Sequence, residues 1–235
     1  VMVSTASRVG TGNIIGVSTA ICLGGFGAIF WMWITAILGG ASAFIESTLA
    51  QIYKHKDPDG TYYGGPSYYM QNALKQRWLG VIFAVILILT YVVGYNMLAS
   101  FNTQDTFKTF SFYDPSKTPI IIGAILAVLF ALCVLGGGKR LTNITGILVP
   151  VMGLIYIVVS LIVVIMNITN LPLVLKNIFV AAFDFKAIFG GFAGSCMMWG
   201  IKRGLYSNEA GMGSAPNAAA SADVSHPVKQ GLVQM

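Results

Sequence analysis

The sequence predicts an all-α polytopic membrane protein, and two observations carry that prediction. Hydrophobic residues make up 56% of the 235 and charged residues only 9%, with a mean hydropathy of +0.76. A soluble domain carries about 25% charged residues, so this chain lacks the polar surface to solvate a globule of its size. The second observation is a series of apolar runs long enough to cross a bilayer. About 20 residues suffice, because each residue of a helix rises ~1.5 Å against ~30 Å of hydrocarbon. The same composition excludes disorder, a collagen repeat and a disulfide scaffold.

Taken in order, the first candidate span covers residues 3–23, is rich in glycine and contains Arg8. The second covers 28–52 and contains Glu46. The third covers 79–101 and holds the long apolar run VIFAVILILTYVV. The fourth covers 119–135, and the fifth covers 141–166 with Pro150 inside it as an expected kink. The sixth, at about 188–201, is short and interrupted by glycines, and a seventh begins near Gly231. Residues 64–77 mix aromatic and polar side chains and are expected to lie along the membrane surface. Residues 172–186 are expected to form a re-entrant or interfacial piece on the other side. The start at Val1 and the apolar beginning after Pro227 are expected to be cuts in a longer chain.

The net charge of +6 has to be read by position. Lys and Arg mark cytoplasmic loops. If the spans alternate, ten of the 14 basic residues fall on one side: Arg8, Lys54, Lys56, Lys75, Arg77, Lys139, Arg140, Lys202, Arg203 and Lys229. The other four are Lys108, Lys117, Lys176 and Lys186. The first group is expected inside the cell. The bilayer then accounts for the basic and aromatic content, and no nucleic-acid partner is expected. Cys22, Cys133 and Cys196 stand far apart in apolar runs and read as packing residues. Neither His55 nor His226 has metal-ligand neighbours, and no nucleophile–base set is present, so no enzyme and no cofactor are expected.

The densest chemical signal is Arg8-Val9-Gly10-Thr11-Gly12-Asn13-Ile14-Ile15-Gly16. Interior glycine costs a helix about 0.5–1 kcal/mol relative to alanine. A helix broken inside a bilayer leaves N–H and C=O groups that something else must satisfy. A ligand is one candidate, with half-helix N–H groups meeting a carboxylate and carbonyls meeting a cation. Close helix packing through Gly12-x-x-x-Gly16 is the other. A second signal is Gly190-Gly191-Phe192-Ala193-Gly194-Ser195 in the sixth span. Two glycine-interrupted spans in corresponding positions point to a transporter's midplane site. Arg8 either faces a cavity or snorkels to the surface. Glu46 either pairs with Arg8, Lys202 or Arg203 as a structural or gating salt bridge, or relays protons.

Several long blocks carry a resemblance. VGTGNIIGVSTAI at residues 9–21 and GAIFWMWITAILGGASAFIESTLAQIY at 27–53 are two of them. Tyr62-Tyr63-Gly64-Gly65-Pro66, GIKRGLYSNEAGMGSAP at 200–216 and HPVKQG at 226–231 are others. Together they resemble the sodium:alanine symporter family, the alanine or glycine:cation symporters. The resemblance implies a leucine-transporter-like inverted-repeat fold of two five-helix repeats. Residues 1–235 would form a single transporter domain, with the first repeat at about 1–170 and the start of the second at about 187–235. It implies sodium-coupled import of a small neutral amino acid by alternating access, in a multi-pass protein of the cell membrane. By that resemblance the substrate carboxylate meets the N–H groups of Thr11 and Gly12, beside Asn13. Its amino group meets carbonyls near Arg8 and along Phe192, Ala193, Gly194 and Ser195. Sodium is held in part by the carbonyls of Ala6 and Val9. Two departures bear on substrate identity. The third-span stretch from Tyr95 to Asn102 lacks the family's glutamine, and Arg8 stands where a small neutral residue is usual. A proton-coupled carrier and an ion channel are the alternatives, though no filter sequence for a channel is visible.

Overall fold

The computed structural model describes residues 8, 10, 12–184, 195–209 and 211–235, with residues 138 and 139 described by their backbone alone. The described chain is nearly all helix. A π-helical turn, Gly12–Gly16, leads into α1, Val17–Gly24. Helix α2, Gly27–Ile52, follows after a glycine turn at Gly25 (φ 75°). A two-stranded antiparallel hairpin pairs β1, His55–Lys56, with β2, Tyr62–Tyr63. Next come α3, Pro66–Ala73, and α4, Arg77–Leu89. A π-helical turn, Thr90–Tyr95, joins α4 to α5, Asn96–Asp105. Helices α6, Thr118–Val134, and α7, Gly137–Met166, form a hairpin, and α8 is Leu171–Ala182. The described chain ends with α9, Cys196–Asn208, α10, Ser214–Ala220, and α11, Pro227–Gln234.

Three helical stretches are long and apolar enough to cross a membrane: Gly27–Ile52, Arg77–Thr109 and Arg140–Met166. These are the second, third and fifth predicted spans. The fourth is α6, shorter at 17 residues. Residues 64–77 do hold a separate short helix, α3, and residues 172–186 overlap α8.

Helix α2 organises the core. Its buried side is Gly27, Ala28, Thr35, Gly39, Gly40, Ala43, Ser47, Ala50 and Gln51. Small residues at roughly fourfold spacing let neighbouring backbones approach closely, which is how helices associate in lipid. A Cβ added at Gly200 of α9 would sit 2.5 Å from the Ala28 carbonyl oxygen and 2.5 Å from the Trp31 Cβ. One at Gly204 would sit 2.6 Å from the Thr35 Cβ. Further along, the Gln51 amide donates to the carbonyls of Ala219 and Ala222. The chain from α9 to α10 therefore follows α2 from its first turn to its last. Helix α11 returns antiparallel, with Gly231 against Thr48 and Phe44, and Met235 against Gly40. Helix α1 lies antiparallel on α9, with Gly16 against Arg203 and Gly24 against Trp199.

This path corrects the charge reading. Lys202 and Arg203 are residues of α9, beside the first turns of α2, and not part of a loop next to Lys54 and Lys56. Thr35, which touches Gly204, is 11 residues before Glu46 on α2, or about 16 Å at ~1.5 Å per residue. The expected salt bridge from Glu46 to Lys202 or Arg203 is therefore out of reach. Arg203 instead lies over the Tyr206 ring at 5.9 Å, and Lys202 over Trp199 at 5.7 Å.

Candidate functional site

Two irregular stretches lie next to each other near the middle of α2. The first interruption is the bend at Gly10 and the π-helical turn that follows it. Asn13 N–H donates to the Gly10 carbonyl at 3.0 Å. Its side-chain Nδ2 donates to the Arg8 carbonyl at 2.8 Å, and its Oδ1 accepts from Ser207 Oγ at 2.7 Å. Gly12 faces the Tyr206 ring so closely that a Cβ there would lie 2.6 Å from the nearest ring carbon.

The second interruption separates α9 from α10, at residues 209–213. Glu209 closes α9 in the left-handed region (φ 53°), and Gly211 (φ 79°) and Gly213 (φ 91°) also have positive φ. A side chain at such φ is strained, which favours glycine there. Glu209 is 3% exposed, and its carboxylate accepts from the Ser214 hydroxyl. The sequence reading placed this break at Gly190–Ser195. Residues 185–194 lie outside the described residues, so the expectations for Phe192, Ala193 and Gly194 do too. Ser195 is placed at the N-cap of α9, where its hydroxyl accepts from Met198 N–H at 3.1 Å. It sits at the same end of α2 as Gly24 and Ala181, away from the break at Glu209. Ala6, Val9 and Thr11 also lie outside the described residues.

Arg8 reaches into the bundle instead of to the surface. Its Nη1 donates to the Gln234 carbonyl at 2.8 Å, at the depth of Gly40. Its Nε and Nη2 are buried without a hydrogen-bond partner. Its electrostatic neighbours are Glu209 first and Glu46 second. Glu46 accepts from Ser42 Oγ at 3.0 Å and sits beside the Gly211 N–H. Among the described residues, neither Arg8 nor any other basic side chain forms an ion pair with Glu46. Among the described residues, Lys108 pairs with Asp105 at the end of α5. Arg8 also lines a cavity of ≈ 510 Å³ with Trp33, Ser207 and Asn208.

The third span completes the surroundings. Tyr91 and Tyr95 stack at 4.8 Å, and Tyr95 stacks on Tyr206 at 5.8 Å with the planes 2° apart. Tyr95 Oη donates to Met212 Sδ at 3.2 Å. A cavity of ≈ 260 Å³ opens between Leu87, Thr90, Tyr91 and Tyr95 on one side and Gly211 and Met212 on the other. Sequence reasoning missed Glu209 as a buried acid, and it missed the tyrosine stack. The sign of Glu209 was present in the sequence: an acid followed by Gly211-x-Gly213, the same spacing as Gly10-x-Gly12. The two stacked tyrosines at positions i and i+4 of one helix were visible as well.

Two interruptions held side by side in a bundle of apolar helices, with ionisable side chains around them, are the kind of arrangement that transport proteins use at a midplane site. The comparison with known sequences agrees. The chain belongs to the sodium:alanine symporter family, whose match extends over residues 1–235. It is 50% identical to a probable sodium/glutamine symporter of Bacillus subtilis, over 99% of this chain and 48% of that protein. It is 42% identical to a sodium/alanine symporter of Methanococcus maripaludis, over 100% of this chain and 52% of that protein. A putative sodium/proton-dependent alanine carrier of Bacillus subtilis is 47% identical, over 99% of this chain and 47% of its own length. The chain thus spans about half the length of the curated relatives it matches. These relatives are transporters and symporters, and the chain is not an enzyme.

Proposed function

We propose that the whole protein imports a small neutral amino acid, such as alanine or glycine, together with sodium, by alternating access across the cell membrane. The observation that carries this reading is the pair of adjacent interruptions, Gly10–Asn13 and Glu209–Gly213, in a chain of this family. Each interruption frees backbone N–H and C=O groups at mid-depth, where an amino acid and a cation are the natural partners. The substrate carboxylate meets the N–H groups at Thr11 and Gly12. Sodium meets carbonyls near Ala6 and Val9. The described part comprises the first of two inverted five-helix repeats, at about 1–170, and the start of the second.

The test is uptake of labelled alanine, glycine and glutamine into proteoliposomes by the full-length protein under a sodium gradient. Uptake that is sodium-dependent supports the reading. Uptake that persists when choline replaces sodium refutes sodium coupling. Gly12→Leu should remove substrate binding while membrane insertion survives, because its side chain would occupy the space between the first break and Tyr206.

A proton-coupled carrier is the second reading. It is favoured by the buried Glu209 and the half-buried Glu46 near Arg8, and by the name of the sodium/proton-dependent relative. A pH gradient driving uptake without sodium would decide for it.

A further inference from the structure

One side chain ties the two interruptions together. Asn13 uses both ends of its amide. The nitrogen satisfies the Arg8 carbonyl, on the far side of the first break. The oxygen takes the Ser207 hydroxyl, two residues before Glu209 opens the second break. The packing on either side of this pair is tight. A Cβ at Gly12 would come within 2.6 Å of Tyr206, and one at Gly16 within 2.9 Å of Arg203. The π-helical turn is thus set against the last turns of α9 at three places, and only the Asn13–Ser207 contact is directional.

Directionality matters because a hydrogen bond weakens steeply beyond about 3.2 Å or below ~120°. If α9 shifts by more than a few tenths of an ångström, either Ser207 releases Asn13 or Asn13 follows. In the second case the amide takes the Arg8 carbonyl with it. In the first, the Arg8 carbonyl loses the orientation of its partner, which is costly where water is excluded. Both breaks then respond to a displacement at either one.

We infer that Asn13 and Ser207 form a clasp coupling the two helix breaks, with Ser207 a positioning residue for the ligand site between them. The inference rests on the transport reading above. It differs from a role for Asn13 as a ligand acting alone, because such a ligand would be indifferent to the hydroxyl at Ser207.

The experiment uses the full-length protein with Ser207→Ala, Ser207→Thr, Asn13→Ala and the double Ala variant, and L-alanine as the probe. Loss of one partly buried neutral hydrogen bond should weaken L-alanine binding about three- to tenfold in Ser207→Ala. KM should rise in parallel, with kcat changed less. Ser207→Thr should restore affinity to within about twofold, since it keeps the hydroxyl. The double variant should bind no more weakly than Asn13→Ala alone, the signature of two residues acting as one. Affinity of Ser207→Ala within about twofold of wild type, or additive losses in the double variant, would overturn the clasp. Hydrogen exchange at the amides of residues 12–16 provides a readout that needs no substrate. It should speed up in Ser207→Ala and recover in Ser207→Thr, and unchanged exchange counts against the clasp. If the wild-type protein binds no amino acid, the transport reading fails, and the exchange data still decide the clasp.

Discussion

Helices α2 and α7 are both long and apolar enough to cross a membrane, yet the bundle around α2 and the α6–α7 hairpin are built on opposite plans. In α2, glycine, alanine and serine face the neighbours, while Ile37 and Leu38 are 70% and 67% exposed. In α6 and α7 no described side chain is buried, and large side chains such as Ile120 and Ile147 stay exposed. In water, burial would select the large side chains. In lipid, large apolar side chains have nothing to gain by turning inward, and close approach through small residues decides which faces meet. Small residues, not hydropathy, therefore mark the core of this protein.

The largest expected difference is between glycines of the two regions. At Gly200 an added Cβ meets the Ala28 backbone at 2.5 Å, and backbone cannot step aside as a side-chain tip can. Gly200→Ala should destabilise the protein by about 2 kcal/mol or more through overpacking, read as a lower Tm and loss of a monodisperse peak in detergent. At Gly153 of α7 an added Cβ meets nothing within 4 Å. Gly153→Ala should be neutral, or stabilising by up to ~1 kcal/mol through helix propensity. A loss at Gly153 as large as that at Gly200 would break the comparison. It would mean that a further helix, outside the described residues, sits against α7.

The same contrast explains what could be read in the sequence. Hydropathy located α2, the α4–α5 span, α6 and α7, because length and apolarity alone define a span. The glycines beside Arg8 marked the first interruption, since Gly10 and Gly12 are poor helix formers in a stretch with no turn to make. The interruption at Glu209–Gly213 was not read from the sequence. The glycines at 190–194 drew attention, and Lys202 and Arg203 looked like a cytoplasmic loop under the positive-inside rule. Arg203 escapes that rule because its guanidinium lies between the Tyr206 ring and Gly16. Such tertiary shelter leaves no periodic trace. The third ring of the tyrosine stack was hidden for the same reason: Tyr206 joins Tyr91 and Tyr95 only once α9 is laid against the third span.

A smaller effect separates the polar groups of the two regions. Gln51 is 4% exposed and donates to two carbonyls at the end of α10. Gln51→Leu would leave both without this donor, at a cost of about 1–3 kcal/mol. Thr145 in α7 donates only to the backbone of its own helix, at 3.0 Å to Leu141. Thr145→Val should therefore stay within about 0.5 kcal/mol of wild type. Comparable losses in thermal unfolding would show that α7 depends on its polar groups as much as the bundle does.

The smallest effect is expected in the loop that leads into α6. Asp114 accepts from Ser116 N–H at 2.9 Å and from the Ser116 hydroxyl at 2.7 Å, while its own N–H donates to Thr118 Oγ1. The Ser116 N–H, first, and the hydroxyl, second, hold the Asp114 carboxyl below its ordinary value of about 3.8. A carboxyl depressed on folding steadies the loop fully above its unfolded pKa. That contribution fades as pH falls below about 4 and through the folded value. The Ser116 amide should therefore be protected from hydrogen exchange near pH 6 and lose protection near pH 3, with Asp114→Asn reducing the pH dependence. The amides of α2 and α9, whose contacts are packing between small residues, should not follow that titration. If they open in the same pH window, the loop and the bundle are one cooperative unit, and the separation of the two regions does not extend to their stability.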